Sequence, residues 1–233
     1  MVTILQKNIM VRIDDVYQKV LAIANKEQRG YITPQEFNLF ANQAQLDIFE
    51  QYFYDINQFS RIPGNSTEYS DMLDILNEKI SIFEESDSLT YSTNYFELPE
   101  NLYRLGTVIY DKIEVEQVNE NDLLYINSAP LTKPTLTRPV FTQNKNRIYI
   151  YPQTITRATC TYIKQPTNPS WNYVVVNDEA MYNPDVSVNF ELHPSEEVNL
   201  VNKILQYAGI SMNNELYQVG SQEEIKDIQQ EKA

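Results

Sequence analysis

The sequence predicts an α+β protein: an N-terminal long-helix bundle, then a central antiparallel β-region, a C-terminal helix and a polar tail. Three observations predict it. Apolar residues recur at helical spacing through the first third of the chain. The period switches to two between Leu89 and about Ile163, and a helix start returns at Pro194. On this pattern residues 1–88 form a helical region and 89–192 a β-rich region. Residues 193–212 form a helix packing back on the helical region, and 213–233 a C-terminal docking tail.

The first helix places Val16, Val20, Ile23 and Ala24 on one face behind Asp14 and Asp15, either of which can cap, and Gly30 ends it. Thr33-Pro34-Gln35-Glu36 is the clearest local signal. Thr33 caps, Pro34 suits the first helical position, and Glu36 completes a capping box. The helix it opens runs to about Phe59, roughly 38 Å at 1.5 Å per residue. It carries two apolar lines: Phe37, Ala41, Ala44, Ile48 and Tyr52, and Leu39, Leu46, Phe49, Phe53 and Ile56. A surface helix needs about a 100°-wide apolar face, so two lines imply burial on both sides within one domain or sharing with a neighbouring subunit. Phe49, Tyr52, Phe53 and Ile56 are the candidate subunit-interface residues. Pro63-Gly64 fits a type II turn, and a third helix from Glu68 to Ser86 turns Met72, Ile75, Leu76, Ile80 and Phe83 inward, covering the second.

Strand patterns follow at Tyr91–Leu98, Leu105–Val118, Arg147–Tyr151 and Arg157–Ile163, separated by Asn, Pro and Asn-Lys-Asn turns. Lys133-Pro134 and Arg138-Pro139 bracket an extended crossover that cannot be helix. Tyr173–Val176 and Val186–Leu192 are further strand candidates. At Pro194 helix returns, with Ser195, Glu196 and Glu197 in the first turn, where negative charge complements the dipole. Val198, Val201, Ile204, Leu205 and Ala208 form its stripe, and Gly209 fits the position after its end. In the tail, Leu216, Tyr217, Ile225 and Ile228 are the candidate partner-docking residues, set among acidic side chains.

The chain holds 17 Tyr and 9 Phe against one Trp, a composition suited to wide contact surfaces and equally to β-structure. Net charge is −14 and uneven. Residues 1–63 carry 7 acidic and 6 basic side chains, 64–104 carry 9 and 2, 105–171 carry 5 and 7, and 172–233 carry 11 and 3. Gripping nucleic acid requires phosphate neutralisation, so this balance argues against specific DNA or RNA binding; an acidic wall instead lets DNA slide past. No stretch approaches the roughly 18 apolar residues of a membrane span. A signal-peptide pattern is missing from the N-terminus, and synthesis in the cytoplasm is the expectation.

Motifs for chemistry are sparse. Cys160 is the sole cysteine, excluding an intrachain disulfide, and its alternation with Ala158 and Tyr162 reads as a buried small side chain. His193 is the sole histidine and precedes a helix start, a capping position. No phosphate-binding glycine loop occurs, and Asn177-Asp178-Glu179 with Asn183-Pro184-Asp185 lacks the order of a calcium loop. No pair of carboxylates is singled out for glycoside chemistry. The expectation is a protein with no catalytic residues, no metal and no cofactor.

Residues 16–38, running on through Asp47-Ile48-Phe49-Glu50-Gln51-Tyr52-Phe53, resemble the opening of structural proteins of crAss-like and related short-tailed phages. Phe190-Glu191-Leu192-His193-Pro194-Ser195-Glu196-Glu197 with Val201-Asn202-Lys203-Ile204-Leu205 is similar to a later segment of them, as are Arg147-Ile148-Tyr149-Ile150-Tyr151-Pro152 and Tyr162-Ile163-Lys164-Gln165-Pro166. The resemblance covers residues 13–212 in patches. It implies a virion protein of the head-to-tail connector, a ring below the portal lining the channel for packaging retention and ejection of DNA. The implied partners are its own copies in a dodecameric ring, the portal protein, and adjacent tail-ring or hub proteins, with DNA passing unbound. The alternatives are a tail-fibre or cargo-docking adaptor of the virion and, against the missing chemistry, a cell-wall hydrolase.

Overall fold

A computed structural model of the chain describes residues 10–26, 32–59, 67–177 and 179–209. The chain forms two compact units: residues 1–51 with 167–233, and residues 52–166.

The first unit contains α1 (Ile13–Lys26) and the opening of α2 (Pro34–Phe59). It continues through strands β9 (Tyr173–Val176) and β10 (Glu179–Tyr182) to α5 (Glu197–Tyr207). Helix α1 buries Val16, Tyr17, Val20 and Ala24 and packs on α5, whose Leu200, Val201, Ile204 and Leu205 are buried in turn. Helix α2 opens with the capping box. The Thr33 amide donates to Glu36 Oε2 at 3.0 Å, and the Glu36 amide to Thr33 Oγ1 at 3.3 Å. The face bearing Phe37, Ala41, Ala44 and Ile48 is buried. Beside it, two side-chain amides hold the extended segment that leads from Thr167 back toward α5. Asn38 Nδ2 donates to the Trp171 carbonyl at 3.1 Å while its Oδ1 accepts the Trp171 amide at 2.7 Å. Gln45, seven residues on and itself buried, donates to the Thr167 carbonyl at 2.8 Å and accepts the Glu191 amide at 3.0 Å. Each amide reproduces the donor–acceptor pair of a strand neighbour, so an extended chain lies on a helix with its backbone satisfied.

The second unit is built on an eight-stranded sheet. Its strands are β1 (Glu84–Ser88), β2 (Thr90–Ser92), β3 (Tyr95–Glu97), β4 (Leu102–Tyr110), β5 (Ile113–Gln117), β6 (Val140–Asn144), β7 (Arg147–Tyr151) and β8 (Thr159–Lys164). They lie in the order β1-β8-β4-β5-β6-β7-β3-β2. The end strands β1 and β2 are joined in sequence through Leu89 alone, so the sheet rolls until its two edges nearly meet. Inside lie Phe96, Val108, Val115, Phe141, Ile148, Ile150, Cys160 and Tyr162, the inward halves of alternating strands. Helices α3 (Thr67–Ser81) and α4 (Glu120–Ser128) belong to this unit. Strands β5 and β6 are parallel, Glu116 opposite Val140, a pairing that requires a long crossover; α4 and the loop after it supply one.

The expected α+β arrangement, with its N-terminal long-helix bundle and central antiparallel β-region, is therefore corrected. The architecture is mixed α/β around a large, nearly closed sheet. Helix α3, expected to cover α2, belongs to the second unit, while in the first an extended segment and α5 take up the helices. The β5–β6 pair also makes the sheet mixed rather than antiparallel. The third helix ends at Ser81, and Glu84–Ser88, whose last residues lack any apolar alternation, is a wholly exposed edge strand. Val186–Leu192 forms no strand; Val188 makes a single bridge with Ser170.

Candidate assembly surfaces

The β9–β10 hairpin turns at Asn177, whose φ of +52° suits the first position of a tight two-residue turn, a conformation asparagine tolerates. Its base is an aromatic stack. Buried Trp171 lies 5.7 Å from the ring of Tyr173 and 5.8 Å from that of Tyr182, the two being cross-strand partners. Tyr17 packs 4.4 Å from Trp171, and Trp171 Nε1 donates to Asp14 at 3.0 Å, fixing the indole at both ends. Beyond that base the apolar side chains are exposed. Val175 is 64% exposed, and Val174, Val176 and Met181, on the opposite face by strand alternation, are exposed too. β9 contains no charged side chain.

In the second unit, α4 and the loop after it form another apolar surface. Leu123 is the buried anchor of α4, whereas Leu124 and Tyr125 are 70% and 76% exposed. Leu131 is 96% exposed, on a loop tied down by its own hydrogen bonds. Thr132 Oγ1 donates to the Ile126 carbonyl at 3.1 Å, and Thr135 and Arg138 bond reciprocally at 3.3 and 3.1 Å. A groove of about 610 Å³ runs between this loop and β5, lined by Glu114, Glu116, Val118, Ile126, Leu131, Lys133, Arg138 and Val140 among others. Lys133 and Arg138 are exposed.

Of the sequence-predicted interface residues on α2, Phe49 and Tyr52 are buried within the chain, and Phe53 and Ile56 are half-buried. Phe53 packs on Tyr103 of β4 at 5.3 Å, and Lys79 sits over the Tyr52 ring at 5.7 Å. Among its described residues, the large apolar side chains that α2 exposes are Leu39 and Tyr54. Leu216, Tyr217, Ile225 and Ile228 lie outside the described residues. Sequence pattern marked Tyr173–Val176 as a strand and residues 133–139 as an extended crossover, but neither as an exposed surface: Tyr173-Val174-Val175-Val176 carries the signature of a buried strand, and only the fold decides whether anything covers it.

His193 caps the 3₁₀ turn Pro194–Glu196, its Nδ1 accepting the Ser195 amide at 3.2 Å with Ser195 Oγ at 2.9 Å. Because Nδ1 is engaged by a backbone donor two residues away, this His–Ser pair is local capping geometry. Cys160 is fully buried, and burial, followed by the charge of Asp87, pushes its thiol pKa up, away from nucleophilic thiolate. Among the described residues no group of three or more His, Cys, Asp or Glu is placed to hold a metal ion, and no helix is long and apolar enough to cross a membrane. No protein-family model matches the chain, and no curated protein matches its sequence.

Proposed function

We propose that this chain is a virion structural protein, a ring subunit of the head-to-tail connector of a short-tailed phage, acting by assembly rather than turnover. The observation that carries the reading is the investment of ordered structure in exposed apolar surface. A stacked aromatic base holds up a hairpin whose valines face solvent, and a hydrogen-bonded loop presents Leu131. Such surfaces on a soluble chain mark protein–protein contact. The phage-like strings around Pro34, Arg147 and His193 support the virion assignment, and the net charge of −14 suits a passage through which DNA moves without adhering.

The exposed β-hairpin also favours a second reading, a docking adaptor for tail fibres or cargo. Electron cryomicroscopy of virions of the encoding phage, with mass spectrometry of the same particles, separates the two. The connector reading expects a closed ring of this chain between portal and tail; copies only at the fibre bases establish the adaptor. Absence of the chain from purified virions overturns both.

A further inference from the structure

We infer that Trp171 is the joint that aims the β9–β10 hairpin. Stacking ties it to the strands and hydrogen bonds tie it to the helices, so cutting the hydrogen bonds frees the arm without opening it. What the arm's direction serves in assembly rests on the connector reading; the joint stands on its own geometry.

The ribbon is closed from within. Its ladder runs from Tyr173 opposite Tyr182 to Val176 opposite Glu179. Below the ladder the two chain segments stay paired. Ser170 and Val188 exchange both backbone hydrogen bonds, at 3.1 and 2.9 Å, and Asn172 Nδ2 donates to the Val186 carbonyl at 2.7 Å. These bonds lie inside the ribbon and call on neither α1 nor α2.

The root is different. Trp171 is the only tryptophan of the chain, and it is buried. Its backbone amide and carbonyl are both taken by the Asn38 side chain of α2, and its indole Nε1 donates to Asp14 Oδ1 at the start of α1. Every polar group of the residue is therefore bound to a helix side chain. Its ring serves the strands: Tyr173 and Tyr182 stack on it with interplanar angles of 28° and 26°. Among the described residues, one side-chain hydrogen bond joins the paired strands to the helices directly, from Gln35 Nε2 to the Tyr173 hydroxyl at 3.0 Å, and it is exposed. Water competes for an exposed bond, so direction is held mainly at the buried indole.

Direction matters because the hairpin exposes apolar side chains on both faces. Copies of one chain make identical contacts around a ring only when such an arm leaves every body at the same angle.

Double electron–electron resonance on the full-length protein reads that angle without any partner. Nitroxides at Leu39→Cys on α2 and Val175→Cys on the hairpin occupy exposed positions, while the native Cys160 is buried out of reach of the label. Dilution into unlabelled protein confines the signal to distances within one copy, and circular dichroism checks the fold of each variant. The labelled chain should give one narrow distance. Asp14→Ala with Asn38→Ala removes the ties to both helices and leaves the indole stacked between its tyrosines; the remaining packing of Tyr17 on the ring is non-directional. The narrow distance should then be lost, and each substitution alone should broaden it. Asp14→Asn keeps an oxygen acceptor for Nε1 and should keep the distance narrow. Nuclear Overhauser contacts between β9 and β10 should persist throughout. The inference is overturned if the parent chain is already broad, or if the folded double variant stays narrow. Where the double variant does not fold, narrow distances in both single variants overturn it. Loss of the cross-strand contacts together with the narrow distance also overturns it, making Trp171 a part of hairpin folding and not of its aim. None of these results touches the connector reading, which is decided by where the chain sits in virions.

Discussion

Gly106 shows how closely two strands approach within the rolled sheet. A β-carbon built there would lie 2.8 Å from the carbonyl oxygen of Thr161, and that neighbour is backbone, which cannot swing aside. The site falls in the irregular stretch of the β4–β8 pairing, where the Thr107 amide turns to Thr161 Oγ1 at 3.0 Å instead of a ladder carbonyl. Gly106→Ala should destabilise the protein by about 1–3 kcal/mol, the usual range for overpacking, read from denaturant midpoints; an unchanged midpoint would mean that the strands part freely. On the same strand β8, Lys164 Nζ lies 3.0 Å from Glu85 Oε1, and the Tyr162 hydroxyl donates to Glu85 Oε2 at 3.1 Å. The hydrogen bond from Lys164, aided by that from Tyr162 and opposed by burial, holds the Glu85 carboxyl below its ordinary value. A carboxyl lowered in the fold stabilises above its unfolded pKa, and that stability is lost as pH falls through the lowered value. Tyr162 is pushed up, first by burial and then by Glu85, so its contribution is held below the ordinary phenol pKa and lost as pH rises through the raised one. Glu85→Gln should therefore flatten the acid limb of melting temperature against pH. The Glu85 side chain is 42% exposed, so solvent screening keeps the effect within about 1 kcal/mol. An acid limb identical to wild type would show that the carboxyl is not held by Lys164.

Helix α2 makes the same argument one level up. Its fate depends on Asn38 and Gln45, which grip the extended segment along its side. Gln45→Ala should leave the Thr167 carbonyl and the Glu191 amide without their partner, each omission costing about 1–3 kcal/mol if no water replaces it. Gln45→Glu keeps the acceptor for the Glu191 amide but buries a carboxylate against the Thr167 carbonyl, and should be at least as destabilising as the alanine. Equal stability of all three would refute the clamp. These two residues also mark where sequence reading stops. The capping box at Thr33, the alternation of Ile148 and Ile150 in β7, and the bounds of β9 follow from local chemistry and were legible. A polar residue on a helix, by contrast, reads as solvated unless its distant partner is known, and Gln45 meets Thr167 and Glu191 far along the chain. β1 and β10 were illegible for the same reason: Glu-Glu-Ser-Asp-Ser and Glu-Ala-Met-Tyr are strands only because neighbours pair with them. α4 hid behind Asn119, which precedes it without a side-chain cap bond and leaves a weak start signal.

At the scale of the whole molecule, the order of the chain and the order of the fold differ. Residues 52–166 are one continuous stretch, whereas the first unit is closed by two segments from opposite ends of the chain. The continuous unit holds its own sheet and core cluster, and Tyr52 and Phe53 at its start already pack with Lys79 and Tyr103 from within it. At roughly 115 residues it reaches the size at which a single core stabilises a domain without metal or disulfide. The first unit has no such independence, because α1 packs on α5, and Val11 bonds with Phe190 and Leu192 across the full length of the insertion. Its closure has to await synthesis of residues 167–209, by which time the inserted sheet is complete. A fragment of residues 52–166 expressed alone should therefore give a strand-dominated circular dichroism spectrum and one cooperative unfolding transition. Residues 1–51 alone should give little helix, since α1 and the opening of α2 lose α5, Trp171 and the Gln45 clamp partners together. Hydrogen exchange on the intact chain provides the second readout: amides of β4, β7 and β8 should outlast those of α1 and α5. A disordered 52–166 fragment, or slower exchange in α1 than in β8, would reverse this order and make the helical unit the part on which the sheet depends.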